Sequence, residues 1–427
     1  MSADYPLLDG RDDVVEYLVR TGGLARVADE PAQVDVVDVT AGNMNRVFLA
    51  RGPRGSVALK QAPPFVQSIG PEWPIDPSRI AAEAATYALL AERVPDSIPE
   101  IVGFDDELHV LLMEDLSDLA VLRDALAAEH DADGRDLDHA DVGSVVGGFV
   151  GALAAATTRE ALGEQAFAEL SAQTGDEGLM QITRDFLLGY PLREHETNRW
   201  EPALDERVRD LRASTAVAEA VERVRERFET ASEALIHGDL HTGSVMVGVR
   251  DGEQVVKVFD PEFAFVGPIG MDLGLFWAGV EVAVAAAFAA GDDALALRRW
   301  EAIPASLAAF TASAGLDAAR IDTIVDDAWR FAGVEMVRRI AGFSHASDLD
   351  GVLTEGPRAA ASAAVLDAAV THIVSGRGVA SAESLRPVDP ASPLSVSAPV
   401  ASAPAASAPV ASDGGVGSVS GPSTASA

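Results

Sequence analysis

Hydrophobic and polar residues alternate in short runs near the N-terminus and follow a longer period further along the chain. Three early runs, whose side chains would point alternately to two faces, predict strands at 34–39, 47–50 and 57–60. A helix is predicted over 78–93, before Pro95, and another strand over 108–113. This order of elements predicts a small β-rich lobe over residues 1–116.

After Leu116 the apolar residues recur with the spacing of helices. The predicted helices are 141–158, 205–231, 270–290, 293–313, 319–345 and 357–376. Short predicted strands interrupt them at 234–237, 244–249 and 254–260. The predicted fold class is therefore α+β and bilobal, with a larger, mostly helical lobe over residues 117–379. A cleft between two such lobes is a common place for a small ligand such as a nucleotide.

The C-terminal segment, residues 380–427, differs from the rest in composition. Alanine, serine, proline and valine dominate it, and from Ala391 onward the only charged residue is Asp413. Small residues and spaced prolines cannot bury enough apolar surface to offset the loss of chain entropy. We therefore predict a disordered C-terminal tail.

The overall composition narrows the classes of partner. The net charge is −35, which repels nucleic acid and anionic lipid, so neither is an expected partner. The chain has no cysteine, which excludes disulfides and thiolate chemistry and fits a reducing cytoplasm. The N-terminal residues lack the pattern of a signal peptide. The longest apolar stretch, Met271–Ala290, is interrupted by Asp272 and Glu281, so it predicts a buried helix and not a membrane span.

Three carboxylates are expected to meet at neighbouring loop ends. Asp239 lies in a polar turn between two predicted strands. The last of the three predicted strands, 254–260, leads into Asp260 and Glu262. It is linked to the strand at 244–249 as a hairpin. Phosphoryl transfer uses such a set, because one carboxylate orients the attacking hydroxyl while others hold Mg²⁺ on the phosphates.

These motifs carry a family resemblance. His-Gly-Asp at 237–239, followed by the Asp-x-Glu strand end, resembles the aminoglycoside-phosphotransferase and choline-kinase branch of the protein-kinase-like superfamily. Within that branch, Ser244 in place of the usual Asn and the run Asp260–Pro268 resemble the methylthioribose kinases. Further similar segments are Ala41–Phe48, Lys60–Val66, Gly70–Pro74, Leu112–Leu116, Asn198–Trp200 and Glu335–Ile340. The likeness covers residues 35 to 375.

The resemblance implies a protein-kinase-like fold and a specific reaction. The implied enzyme is an ATP-dependent kinase that phosphorylates the 1-hydroxyl of 5-methylthioribose, with Mg²⁺, in methionine salvage. Asp239 would orient the sugar hydroxyl as the catalytic base and bind the substrate. Arg338 and Arg339 would also bind the substrate and neutralise charge in the transition state. The resemblance implies a homodimer as well.

The same resemblance implies the nucleotide site. Lys60 would hold the α- and β-phosphates, with Glu83 as a supporting partner. The backbone of a hinge segment, residues 114–116, would meet adenine. The implied ATP-binding residues are Asn43, Lys60, Glu114, Asp115, Leu116, Asp260, Pro261 and Glu262. Asp260 and Glu262 would be the Mg²⁺ ligands, and Trp73 and Ser244 would have supporting roles.

Two other functions stay open at this stage. The first is a kinase of the same fold for an aminoglycoside, choline or homoserine, against which Ser244 and the arginine pair argue. The second is a nucleotide-binding scaffold without turnover. Retention of Lys60, Asp239, Asp260 and Glu262 together argues against a scaffold.

Several of these residues also have plain structural interpretations. Asp239 alone could cap its own turn, and Glu83 could be a solvated residue on an alanine-rich helix. His237 and His241 lie four residues apart, as in a helical zinc motif. However, the segment reads as strand and turn, and Gly238 stands where that motif has Glu.

Two further expectations concern the position of side chains. Adjacent arginines cannot share one helix face, so at most one of Arg338 and Arg339 should point squarely into the cleft unless the helix ends there. Trp73 is expected in a loop beside prolines, as part of a flap.

Overall fold

The structure is a computed structural model that describes residues 5–40, 44–130 and 137–394. Its first lobe contains α1 (Arg11–Thr21), α2 (Leu24–Val27), β1 (Asp35–Val39), β2 (Arg46–Gly52), β3 (Gly55–Gln61), β4 (Phe65–Val66), β5 (Gly70–Pro74), α3 (Arg79–Ala91), β6 (Ile101–Asp105) and β7 (Val110–Glu114). Five of these strands form an antiparallel sheet in the order β1-β2-β3-β7-β6. The separate hairpin β4–β5 lies at one side. The predicted β-rich lobe is therefore present.

The second lobe is mostly helical. It contains β8 (Ala120–Val121), α4 (Leu122–Ala128), α5 (His139–Thr157), α6 (Arg159–Leu162), α7 (Glu164–Gln173), α8 (Glu177–Phe186), α9 (Asp205–Ala213), α10 (Thr215–Thr230), β9 (Ala234–Ile236), β10 (Val245–Arg250), β11 (Glu253–Val258), β12 (Phe265–Gly267), α11 (Gly270–Ala289), α12 (Asp293–Trp300), α13 (Ala302–Ser313), α14 (Ala318–Ala341), α15 (Ser347–Asp350) and α16 (Glu355–Ser375). The strands pair as β11-β10-β8 and β12-β9.

Strand β3 lies at the centre of the large sheet and fixes the direction of Lys60. Successive side chains on a strand point to opposite faces. Leu59 packs in the core beneath α1, whereas Ala58 joins the core on the side of α3. Lys60 follows Leu59 and faces α3, where it meets a side chain of that helix. The alternation of this strand thus delivers an ammonium group to the side of the sheet that faces the second lobe.

The core of the second lobe surrounds α11. Helices α5 and α11 are each long and apolar enough to cross a membrane by length and composition. However, 94% of the apolar window of α11 and 61% of that of α5 are buried inside the protein. Helix α5 also approaches α13 closely, since a Cβ at Gly147 would lie 2.0 Å from the Ser306 carbonyl oxygen. The prediction of a buried helix over Met271–Ala290 is confirmed.

Two predicted helices are each a pair of shorter ones. The predicted helix 205–231 breaks between α9 and α10, where the Ser214 hydroxyl accepts a hydrogen bond from the Val217 N–H and caps the second helix. The predicted helix 293–313 breaks at Glu301, between α12 and α13.

Trp73 lies on strand β5 and not in a loop. Helix α1 was not predicted from the sequence.

The segment after residue 380 is folded as far as residue 394. Leu385 is fully buried in a short 3₁₀ turn, Ala382–Leu385. The buried guanidinium of Arg207 donates to the carbonyl oxygens of Asp389 (3.3 Å) and Pro390 (3.2 Å). The prediction of a disordered tail over 380–427 is therefore wrong for residues 380–394, because backbone carbonyls of this segment accept hydrogen bonds from a buried arginine. Residues 395–427 lie outside the described residues.

A truncation measures what this segment contributes. A chain that ends at residue 380 should unfold at a lower urea midpoint than one that ends at residue 394. Burial of Leu385 alone is worth about 2 kcal/mol, and Arg207 would lose two acceptors. Equal midpoints for the two chains would contradict the packing described for 382–394.

Candidate active site

Lys60 is the centre of a buried ion cluster between the lobes. Its Nζ donates to Glu83 Oε2 (2.7 Å) and Oε1 (2.9 Å), and it also contacts Asp260 Oδ1. Glu83 is fully buried on α3, and Lys60 is 7% exposed. Burial raises the pKa of Glu83 to about 7, in opposition to Lys60, which lowers it. Glu83 is thus an internal partner of the lysine and not a solvated residue.

Glu83, Asp260 and Glu262 form a possible metal centre. Their carboxylate oxygens lie within 4.8 Å of one another. Asp260 has a left-handed backbone (φ 68°), and its N–H donates to the Tyr87 hydroxyl at 2.8 Å. Burial, followed by the charge of Asp260, raises the pKa of Glu262 to about 8. Crowded carboxylates of this kind fit a hard divalent cation, which would relieve their mutual repulsion.

An asparagine that the sequence analysis did not single out joins this centre. Asn45 Nδ2 donates to Glu262 Oε2 at 2.6 Å. Its Oδ1 accepts from Arg79 Nη2 at 2.9 Å, and the same arginine nitrogen donates to the Met44 carbonyl at 3.0 Å. Asn45 therefore anchors the start of β2 to the second lobe. The predicted phosphate contact, Asn43, lies outside the described residues.

The loop from His237 to Ser244 holds Asp239 by its backbone. His237 is fully buried; its Nε2 donates to the Phe259 carbonyl (3.0 Å), and its Nδ1 accepts from the Asp239 N–H (3.3 Å). The Ser244 hydroxyl donates to the Asp239 carbonyl at 2.8 Å. Gly238 has a φ of 82°, and a Cβ there would lie 2.2 Å from the Phe263 carbonyl oxygen. His241 Nδ1 accepts from the Gly243 N–H (2.8 Å), so each histidine has a hydrogen-bonded ring nitrogen and neither lies on an α-helix, which disfavours the zinc interpretation.

Asp272 clamps the same loop from beneath. This fully buried carboxylate, in the first turn of α11, accepts from the N–H groups of His237 (2.7 Å) and Gly238 (2.9 Å). In the sequence, Asp272 is visible only as a charged residue that interrupts an apolar stretch. This interruption could have indicated its role, because a lone carboxylate in a buried helix must have hydrogen-bond partners.

The electrostatic surroundings keep Asp239 ionised. Asp239 Oδ2 lies 3.4 Å from His241 Nε2, and its Oδ1 lies 4.0 Å from Arg338 Nη1. Burial alone would raise the pKa of Asp239, but His241, Arg338 and Arg339 outweigh it and hold the pKa well below its usual value. Burial lowers the pKa of His241, and Arg339 lowers it further, against the opposing charge of Asp239. Asp239 is thus an available proton acceptor.

Side chains of the hinge segment are occupied by structural contacts. Glu114 Oε1 accepts from Arg250 (2.5 Å), and the Asp115 carboxylate accepts from the Ser117 N–H (2.9 Å). Lys257 lies 3.4 Å from Glu114 Oε2 and donates to the Ile98 carbonyl at 2.8 Å. If this segment contacts adenine, its backbone groups would therefore make the contact.

The other predicted site residues occupy different positions. Leu116 and Pro261 are buried. Trp73 is 37% exposed, and its ring centroid lies 6.2 Å from that of Phe186 at the end of α8. Leu179 of the same helix packs with Val66 of β4 and with Ile75, the residue after β5. Trp73 thus belongs to a hairpin that docks on α8 of the second lobe.

A comparison with known families accounts for this arrangement. The sequence profile of the phosphotransferase enzyme family (APH) matches residues 35–310. The chain belongs to the phosphotransferase enzyme family. The matched range includes Lys60, Asp239, Asp260 and Glu262, and the observed bilobal α+β architecture agrees with the predicted kinase-like fold.

Within this phosphotransferase family, the chain is similar to methylthioribose kinases along most of its length. The methylthioribose kinase of Pectobacterium atrosepticum is 30% identical over 396 residues, covering 88% of this chain and 96% of that protein. The enzyme of Yersinia pseudotuberculosis is 32% identical over 368 residues, covering 80% and 86%. The enzyme of Geobacillus kaustophilus is 30% identical over 329 residues, covering 74% and 80%. The predicted family resemblance is confirmed.

The clamp on the loop can be tested in this phosphotransferase with Asp272→Asn. The amide would turn an NH₂ group toward a backbone N–H and displace Asp239. We expect kcat to fall about 10- to 100-fold, since a displacement of about 1 Å can cost that much. Glu281→Gln, at a buried carboxylate of the same helix, is the matched control. It should lower the melting temperature without changing kcat, and an equal loss of kcat in both variants would contradict the clamp.

Proposed function

We propose that this protein is an ATP-dependent kinase that phosphorylates the 1-hydroxyl of 5-methylthioribose, giving ADP and 5-methylthioribose 1-phosphate in methionine salvage. The observation that carries the proposal is the ionised Asp239 beside Arg338, on a loop that is hydrogen-bonded through His237 to Phe259, the residue before the carboxylates of Asp260 and Glu262. Similarity to methylthioribose kinases over most of the chain supports this choice of acceptor.

Asp239 is proposed to orient the acceptor hydroxyl and take its proton. A carboxylate with a depressed pKa is a weak base, so its main contribution is orientation of the hydroxyl for in-line attack. Arg338 and Arg339 supply positive charge beside the reacting oxygen. This charge would stabilise the phosphoryl group as negative charge develops in the transition state.

Asp260 and Glu262 are proposed to hold Mg²⁺, and Lys60 to bind the α- and β-phosphates. When bound, Mg²⁺ neutralises charge on the β- and γ-phosphates. The crowding and raised pKa of Glu262 support the assignment of these carboxylates as ligands. Glu83 would keep Lys60 on the cleft side of β3 if Asp260 served as a metal ligand, because its contact with Lys60 does not depend on Asp260.

The arginine pair argues against two of the other acceptor classes. Aminoglycosides and choline are cations, and two guanidinium groups beside Asp239 would repel them. A scaffold without turnover has no need of an aspartate that is held ionised by three cationic or polar neighbours. A homodimer and a cytoplasmic location complete the proposal, supported by the family resemblance and by the lack of cysteine.

An acceptor panel tests the proposed reaction. ADP release with Mg-ATP should be rapid with methylthioribose and near background with choline, homoserine and kanamycin. Asp239→Asn should bind ATP normally but lose about 10²- to 10⁴-fold in kcat, the usual contribution of a positioned base. Turnover with another acceptor would overturn the proposed substrate. Near-normal kcat in Asp239→Asn would remove Asp239 from the base role.

The metal ligands can be tested by nucleotide binding without turnover. In wild-type protein, Mg²⁺ should strengthen ATP binding, measured by calorimetry with no acceptor present. Asp260→Ala should lose this dependence on Mg²⁺, whereas Asp35→Ala, an exposed residue on β1, should keep it. An unchanged Mg²⁺ dependence in Asp260→Ala would refute the ligand assignment.

A further inference from the structure

Both arginines beside Asp239 form ion pairs with one buried carboxylate, and Arg339 is also hydrogen-bonded to it. Glu335 lies on α14 and is 1% exposed. Its Oε1 accepts from Arg339 Nε at 2.6 Å, and its Oε2 lies 3.3 Å from Arg338 Nε. The two arginines follow Glu335 by three and four residues, the spacing at which side chains on a helix can meet.

This contact changes the expectation for the arginine pair. Adjacent helix positions diverge, so two free arginines would point in different directions. Here the carboxylate of Glu335 lies within 3.3 Å of the Nε atoms of both arginines, so their side chains start from one anchor. Their side chains are only 15% and 14% exposed, and both act on the charge of Asp239. The pair therefore behaves as one unit held together from behind by Glu335.

Glu335 is the buried carboxylate that contacts both arginines. Arg338 and Arg339 carry two positive charges, and Asp239 carries one negative charge. Without Glu335, two adjacent guanidinium groups would share a partly buried site with Asp239 and, at Arg339, the charge of Asp348, and neither would keep its closest carboxylate, which is costly. They would lower this cost by moving toward water and away from Asp239. The end of the helix is fixed as well, since the Gly342 N–H donates to the Arg338 carbonyl (3.0 Å).

We propose that Glu335 is a positioning residue for phosphoryl transfer, which binds both guanidinium groups and fixes them toward the acceptor oxygen and the transferring phosphoryl group. It touches neither substrate and acts through Arg338 and Arg339. This assignment rests on the proposed kinase function. It adds to that function the requirement that the two arginines act together and not as independent contacts.

The direct test is Glu335→Gln in the full-length protein. The neutral amide keeps the shape of the side chain but loses the charge that holds the arginines. We expect kcat to fall about 100-fold, because a displacement of about 1 Å can cost that much, while the Kd of ATP stays within about twofold. Retention of kcat within about threefold of wild type would overturn the proposal.

A matched control separates positioning from simple loss of stability. Asp327 lies on the same helix, is 7% exposed, and pairs with Arg227 at 2.6 Å. Asp327→Asn breaks a comparable buried pair two turns away from the site. It should lower the melting temperature about as much as Glu335→Gln and leave kcat within about twofold. An equal fall of kcat in both variants would overturn the proposal.

A double-mutant cycle shows whether Glu335 acts through the arginines. In an Arg339→Ala background, Glu335→Gln should lower kcat far less than in wild type, since part of its target is already absent. Independent, multiplicative effects would overturn the proposal. If Glu335→Gln does not fold, Glu335→Asp enters the same cycle, because it keeps the charge but is one methylene too short to reach both arginines.

The cycle is run with the acceptor that wild-type protein phosphorylates. Lack of wild-type turnover with methylthioribose would overturn the proposed substrate alone, provided another acceptor reacts. A multiplicative cycle with a reacting acceptor would overturn the role of Glu335 alone. The two proposals therefore fail in distinguishable ways.

Discussion

The repulsion among three crowded carboxylates is the constraint around which the cleft is built. Glu83, Asp260 and Glu262 cannot all remain ionised at such close range unless cations offset them. Lys60 supplies a positive charge to Glu83 and Asp260, and Arg79 reaches Glu262 through Asn45. These partners come from β3, α3 and the loops before β2 and after β11. Neutralising the carboxylates therefore also joins the two lobes.

The catalytic loop depends on a similar arrangement of buried polar groups. Its backbone N–H groups are bound by Asp272 from below, and Ser244 and His237 hold Asp239 from either side. The loop between β9 and β10 can therefore present an ionised aspartate, because a carboxylate of α11 holds its backbone. On the far side of Asp239, Glu335 organises the arginines in the same manner. A buried carboxylate behind the site thus positions each group that faces it.

The residues that could be predicted from the sequence belong to short local motifs. Asp239, Asp260 and Glu262 stand at strand ends in a recognisable pattern, and the alternation of β3 placed Lys60 on the cleft side. Asp272 and Asn45 were not assigned roles because their partners lie far away in the sequence. Asn45 and Glu262, for example, are 217 residues apart. Glu335 stands close to its arginines in the sequence, but its role depends on the position of Asp239, which only the fold brings near. The ends of helices and the folded part of the C-terminal segment were missed for a similar reason, since capping and packing against Arg207 decide them.

The two lysines of this arginine-rich chain are both enclosed. Lys60 is 7% exposed within its carboxylate cluster, and Lys257 is 9% exposed where it reaches the Ile98 carbonyl. All other side-chain cations, histidine aside, are guanidinium groups. Reagents that acylate or cross-link lysine amines therefore have no exposed target on the side chains of this chain. Modification of Lys60 by such a reagent would instead indicate that the cleft had opened, because Lys60 is buried in this structure.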